Sequence, residues 1–234
     1  MGGVGVETEI RGFLVSCSLG DSDRRIRVDA VFDGGSAPKP PGLDGGSAPK
    51  PPGLEVAALG RAAVAQQIAF VLEACRFSSM EVAAQALAKL LLAAPAPGES
   101  RVGPAALRLT LSEAGGPSLT VEHDAAWAQS GVARELKPWG AVDTVDESAD
   151  AGIYRLNLAP GAGIPLHVHR VMREEEMVLS DGLLCQGRAA PAGSVRRWPH
   201  QVPHRYDNPT DRWQSILCVN APRFQPGDEI EVDP

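Results

Sequence analysis

The chain has 234 residues, which is enough for one large or two small domains. Hydrophobic residues make up 44% of it and charged residues 22%, as is typical of a soluble globular protein. The net charge is −7 and the sequence contains no basic run, so nucleic acid and anionic membrane surfaces are not expected partners.

The sequence also gives no sign of targeting or of membrane insertion. The N-terminus lacks a basic segment followed by an apolar one. The longest apolar run, 87–96, contains Lys89 and Pro95 and is too short to span a bilayer. The four cysteines are scattered without CxxC spacing, which favours buried free thiols in a reducing compartment. We therefore expect a cytoplasmic protein.

The first half of the chain alternates between strand and helix patterns. Apolar residues fall on one face of a predicted strand at 24–33, namely Ile26, Val28, Ala30 and Phe32. Spacings of three and four predict helices at 55–76 and 80–94, and Ser78 or Ser79 can cap the second. Further strands are predicted at 7–20, 106–111 and 118–123, so the predicted order is ββααββ.

A tandem repeat interrupts this half. Residues 33–43 read DGGSAPKPPGL, and residues 44–54 repeat them letter for letter. Proline at this density removes backbone donors, so a solvated loop is expected. The segment is either a proline-rich ligand for a partner or a duplication in a tolerant loop, and a perfect repeat favours the duplication.

The second half carries a pattern typical of a metal site. His167 and His169 are two residues apart, so on a strand they point the same way. Glu175 lies an even step beyond His169 and shares that face if the strand continues, whereas Glu174 and Glu176 would face away. His204 would complete the set from another strand. Imidazole and carboxylate groups bind iron, manganese, nickel or zinc and leave positions open for water or substrate.

The spacing around these residues resembles the two motifs of the cupin superfamily. The first motif is matched by glycines and ligand residues at Gly161, His167, His169, Glu175 and Gly182, and the second by Pro199, His204 and Asn208. Two positions depart from the pattern. The gap of five residues before Glu175 exceeds the usual three or four, and Glu174 would give a gap of four. A bulge between Val171 and Arg173 would likewise make Glu174 the ligand. Gln201 stands where glycine is usual.

Two segments, IRGFLVSCSLG and FSSMEVAAQALAKLLLA, resemble the dihydroneopterin aldolase family of folate biosynthesis. That resemblance implies a tunnelling fold, whose subunits associate into rings, and a pterin-binding role for Glu81. An ordinary acid in the first turn of a helix is the alternative reading of Glu81. The family's acid–base lysine and its tyrosine have no counterparts here, so the aldolase reaction itself is in doubt.

Together the two resemblances predict an α+β protein with an N-terminal ββααββ tunnelling-fold domain and a C-terminal all-β cupin barrel. The predicted boundaries are 1–125 for the first domain, with an insertion at 33–54, then a linker at 126–139 and the cupin at 140–234. The cupin resemblance implies a divalent transition metal held by His167, His169, Glu175 and His204.

Two functions fit these expectations. The first is a homo-oligomeric metal-dependent enzyme that acts on a small polar metabolite, such as a pterin. The second is a non-catalytic metal-dependent binding or sensing protein. Neither function involves nucleic acid or a membrane.

Overall fold

The computed structural model describes residues 8–33, 53–99, 101 and 103–233. The loop predicted over the tandem repeat therefore lies outside the described residues, except at its two ends. In the described part of the chain, no helix combines the length and the apolar character that a membrane span requires.

The described residues form two compact units. Those of the first unit fall within 1–69, 77–95 and 100–130, and those of the second within 70–76, 96–99 and 131–234. The domain boundaries drawn from the sequence stay a prediction.

The N-terminal elements form one antiparallel sheet with helices. In chain order they are β1 (Thr8–Leu19), β2 (Ser22–Asp33), α1 (Gly53–Ala74), β3 (Arg76–Phe77), α2 (Met80–Leu92), β4 (Ala106–Glu113), β5 (Ser118–Asp124) and α3 (Ala125–Gln129). The strands are ordered β3-β1-β2-β4-β5 in the sheet. α2 packs against β4 and β5.

Local chemistry explains where these elements begin and end. Every second residue of β2 from Ile26 to Phe32 is buried, as the alternation predicts. Ser79 caps the N-terminus of α2, and its hydroxyl accepts a hydrogen bond of 3.2 Å from the Val82 amide. At its other end the buried Arg101 guanidinium donates to three carbonyls, those of Leu90, Leu91 and Ala93.

The predicted fold class is wrong. Between the two helices, Arg76 and Phe77 pair at the edge of the sheet as β3, where the Phe77 carbonyl accepts a hydrogen bond from the Gly20 amide at 2.7 Å. Asp124 then caps a further helix, α3. With the C-terminal strands added, the described chain is mostly β, and no ββααββ tunnelling-fold domain is indicated.

The C-terminal elements are short antiparallel strands. They are β6 (Ala133–Lys137), β7 (Gly140–Glu147), β8 (Gly152–Leu158), β9 (Gly163–His169), β10 (Arg173–Val178), β11 (Leu183–Cys185), β12 (Arg188–Ala190), β13 (Val195–Trp198), β14 (His204–Asp207), β15 (Gln214–Ala221) and β16 (Glu229–Glu231), with a 3₁₀ helix at Pro226–Asp228 before β16.

These strands make two sheets that share a core. One has the order β13-β10-β15-β8-β7-β6 and the other β12-β11-β14-β9-β16. The core draws buried side chains from both sheets, namely Leu158, Ile164, Val178, Leu183, Cys185, Ala190, Tyr206 and Ile216. Because both sheets bury their inner faces in one core, the second unit is a double-sheet β-barrel.

Candidate metal centre

Three histidines meet inside the barrel. His167 and His169 lie on the same face of β9, and both are buried. His204 opens β14, the antiparallel neighbour of β9, where it pairs directly with His167. The ring centroids of these two histidines are 4.2 Å apart. Alternation within β9 and the pairing of two strands are therefore enough to bring the three imidazoles together.

The fourth group comes from the opposite sheet. Glu174, on β10, is buried, and its Oε2 lies 3.2 Å from Nε2 of His169 and 2.7 Å from Nε2 of His204. One ligand atom from each of His167, His169, Glu174 and His204 lies within 4.8 Å of the others. This is a compact set of three nitrogens and one oxygen.

The carboxylate of this set is Glu174 because β9 ends at His169. The next three residues turn the chain across to the other sheet, so a single continuous strand does not connect the histidines with the glutamates. The buried Asp228 carboxylate holds the turn by accepting hydrogen bonds from the amides of Arg170, Val171 and Met172, at 2.8–3.1 Å. Parity counted along one strand therefore does not apply across the turn.

The structure does not bring Glu175 into the cluster. Its side chain is partly exposed and accepts a hydrogen bond of 2.8 Å from Arg197, its partner on β13. Glu174 and Glu176 are buried on the other face of β10, the reverse of the arrangement expected from a continuous strand. The motif spacing contained the correct signal, since Glu174 gives the usual gap of four.

Backbone carbonyls set the orientation of two of the rings. His167 Nδ1 lies 2.8 Å from the Pro165 carbonyl, and His204 Nδ1 lies 3.0 Å from that of Val202. A carbonyl only accepts, so Nδ1 carries the proton and, in the neutral ring, Nε2 keeps its lone pair for a metal. Trp198 stacks on His204 with centroids 4.7 Å apart and an angle of 8° between the planes.

Burial and mutual charge shift the titration of these groups. Burial lowers the pKa of His167, and His204 lowers it further. Burial opposes a charge on His204 as well, but the hydrogen bond and the charge of Glu174 outweigh it and raise the pKa of His204. Burial also opposes the charge of Glu174, yet hydrogen bonds to His169 and His204 hold its pKa well below its usual value. Glu174 is therefore an ionised carboxylate among imidazoles.

The residues present fit a divalent transition metal. Nδ1 of His169 is buried and has no hydrogen-bond partner in the described structure. A buried polar atom without a partner calls for an explanation, and a ring positioned to bind an ion provides one. Imidazole nitrogens with one carboxylate form a donor set that iron, manganese, nickel and zinc all accept. The cluster agrees with the predicted metal cofactor and does not identify the ion.

Two further groups surround Glu174, and the sequence did not reveal them. The Cys218 thiol donates to Oε1 of Glu174 at 2.9 Å. Glu176 lies two residues beyond Glu174 on the same face of β10, and it accepts a hydrogen bond from the indole N–H of Trp198. Burial and the charge of Glu174 raise the pKa of Glu176 to about 8. The interior thus holds a protonated acid next to the ionised one.

The other motif residues have structural roles. Gly182 has a φ of +117°, and a Cβ there would come within 2.7 Å of Thr210. Asn208 is buried, and its amide donates to the carbonyls of Leu158, Ala159 and Arg212. Gln201 has a φ of +62°, the left-handed conformation that explains why glycine is usual at this position.

Glu81, the predicted substrate-binding residue, is exposed in the first turn of α2. A carboxylate there is stabilised by the helix dipole without any ligand. Its binding role stays a prediction.

No protein-family model and no curated protein matches the chain. Solved structures that resemble it include KdgF from Halomonas sp., with 17% identity, coverage of 38% of this chain and 86% of that chain, and a TM-score of 0.35. A variant of Streptomyces PAC13 with uridine has 16% identity, coverage of 44% of this chain and 87% of that chain, and a TM-score of 0.37. A variant of oxalate decarboxylase from B. subtilis has 19% identity, coverage of 44% of this chain and 31% of that chain, and a TM-score of 0.38.

These neighbours are cupin-like, double-stranded β-helix proteins. Every one of these TM-scores is below 0.5, so the cupin resemblance of this chain stays a prediction. The aldolase resemblance and the pterin substrate that it implied have no support.

Proposed function

We propose that the chain is a metal-dependent enzyme that acts on a small polar molecule inside the C-terminal barrel. The observation that carries this proposal is the convergence of His167, His169, Glu174 and His204, all buried, within 4.8 Å. Burying four such groups is costly unless they are paired or bound to an ion. When bound, a divalent ion supplies Lewis-acid chemistry to a substrate oxygen.

The residues around the ligands have distinct tasks. The Pro165 and Val202 carbonyls orient the imidazoles of His167 and His204. The Cys218 thiol donates a hydrogen bond to Oε1 of Glu174, the oxygen that does not contact the histidines. Glu176 carries a proton close to the ligands, because its pKa of about 8 keeps it protonated at neutral pH. A buried acid of this kind can give a proton to a bound substrate and take it back.

Elemental analysis tests the metal site. The purified protein, reconstituted separately with iron, manganese, nickel and zinc, should hold one ion per chain. His169→Ala should lose it, whereas His200→Ala should retain it, because His200 is exposed and outside the cluster. Failure of all four metals to bind, or equal binding by the two variants, would refute the site.

The reaction needs a separate test. The metal-loaded protein is incubated with a mixture of small polar metabolites, and depletion is followed by mass spectrometry. The wild-type protein should deplete at least one component that His169→Ala leaves untouched. Retention of a compound without turnover would instead indicate the non-catalytic binding role.

A further inference from the structure

A cavity lies in the C-terminal unit, apart from the histidine cluster. It has a volume of about 650 Å³ and is lined by two segments, the turn after β9 and the segment from Arg223 to Asp228, together with Glu147. This volume is in the usual range for small-molecule sites. None of the four clustered metal-site residues lines it.

The walls of this cleft are held in place by hydrogen bonds. Asp228 binds three consecutive amides of the turn. The Phe224 amide donates to the Tyr154 hydroxyl at 3.0 Å, and the Gln225 amide contacts the Met172 sulfur at 3.2 Å. The rings of Tyr154 and Phe224 meet edge to face, with centroids 6.4 Å apart. A cleft built in this way needs little ordering when a ligand binds.

The carboxylates that line the cleft have hydrogen-bond partners, whereas its two guanidinium groups keep donors available. Both carboxylates are engaged, since Asp228 accepts from the turn and Glu147 accepts from the Tyr154 hydroxyl at 2.5 Å. The Arg170 guanidinium forms no ion pair with the described residues. Arg223 approaches Glu147 only to 4.0 Å, and its side chain is 57% exposed. Two guanidinium groups therefore have donors to spare, and each has five.

We propose that this cleft binds a small organic carboxylate that carries a flat apolar group. The guanidinium forks of Arg170 and Arg223 match the two oxygens of a carboxylate. The Phe224 ring and the Val171 side chain, which is 53% exposed, supply the apolar surface beside them. This site is separate from the function proposed for the barrel and does not depend on a metal.

Benzoate is a suitable probe, and amide resonances of the full-length protein report its position. Benzoate should shift the amides of Val171, Phe224 and Gly227. Benzamide has the same ring without the charge and should bind about tenfold more weakly or worse, since hydrogen bonds to charged groups are the stronger ones.

Variants separate this cleft from other sites. The double variant Arg170→Gln/Arg223→Gln should weaken benzoate binding about tenfold or more. Arg212→Gln is the matched control, because that side chain is 79% exposed, lies outside the cleft and should change nothing. His169→Ala should keep the shifts of the cleft amides. If benzoate instead bound a metal in the barrel, this variant would lose those shifts.

Several results would overturn the proposal. These are equal binding of benzamide and benzoate, loss of the shifts in His169→Ala, an unchanged affinity in the double variant, and the absence of any benzoate shift. Inorganic phosphate binding more tightly than benzoate would also exclude an organic carboxylate as the ligand.

Discussion

Oε2 of Glu174 and Nε2 of His204 lie 2.7 Å apart, although 30 residues separate them in the chain. They come from opposite sheets of the barrel, so the contact exists only once the barrel closes. In the absence of a metal, one proton shared between imidazole and carboxylate satisfies both groups. A divalent ion between them would take the place of that proton.

Glu174→Gln should weaken metal binding by about tenfold or more. The substitution keeps the shape of the side chain and removes the charge that offsets the ion, and even the loss of outer-shell partners costs about 10–100-fold. Competition titration against a chelator measures the effect.

Glu175→Gln is the matched control for that experiment. Glu175 is partly exposed and paired with Arg197, so its replacement should change stability and metal affinity little, within about 0.5 kcal/mol. If Glu175→Gln released the metal while Glu174→Gln kept it, the assignment of the carboxylate would be incorrect.

Asp228→Asn should destabilise the protein by about 1.5–3 kcal/mol, because its carboxylate accepts charge-assisted hydrogen bonds from three amides of the turn. Urea unfolding at neutral pH measures the loss. Asp211→Asn is the control, since the Asp211 side chain is 96% exposed. Equal stability of Asp228→Asn and the wild type would show that the turn does not depend on this residue.

The stabilisation by Asp228 should also depend on pH. Burial alone would raise the pKa of this carboxyl, but the three amide donors outweigh it and the pKa is lowered. A group whose folded pKa is depressed contributes stability above its unfolded pKa and loses it as the pH falls through the folded value. The difference between the wild type and Asp228→Asn should therefore narrow on acidification below about pH 4. A difference that stays constant with pH would contradict a charged Asp228.

Gln201→Gly should stabilise the protein by about 0.5–1 kcal/mol. Gln201 has a φ of +62°, and the left-handed conformation costs a side chain about 1–2 kcal/mol, whereas the added freedom of glycine in the unfolded chain costs about 0.5–1 kcal/mol. Gln225→Gly is the control, because Gln225 has a φ of −124° and should lose stability. Denaturant unfolding distinguishes the two, and a loss in Gln201→Gly would show that the side chain has a role of its own.

Gly182→Ala should destabilise the barrel by about 1–3 kcal/mol. Its φ of +117° is strained for any side chain, and the new Cβ would lie 2.7 Å from Cγ2 of Thr210. Gly227→Ala is the control, because its φ is not in the strained range and no atom lies within 4 Å of its Cβ position. This substitution should change the free energy of unfolding little. Thermal unfolding compares the two, and similar melting temperatures would contradict the steric argument.

Local patterns predicted the elements of the N-terminal half well. Alternation predicted β2 and spacing predicted α2, because both features depend on neighbours within a few residues. The sequence offered Ser78 or Ser79 as the cap of α2, and the structure has Ser79 there. The fold class could not be obtained in the same way. The pairing of Arg76–Phe77 at the edge of the sheet and the predominance of strand depend on which distant segments meet.

By itself, the sequence determined which side chains are available for the barrel site and that His167 and His169 share a face, because strand alternation is a local property. Only the tertiary structure decided that Glu174, and not Glu175, faces them. That choice depends on where β9 ends, and the turn there is held by Asp228, 56–58 residues farther along the chain. A hydrogen bond between groups so far apart in sequence leaves no trace in local periodicity, so it could be found only in the folded chain.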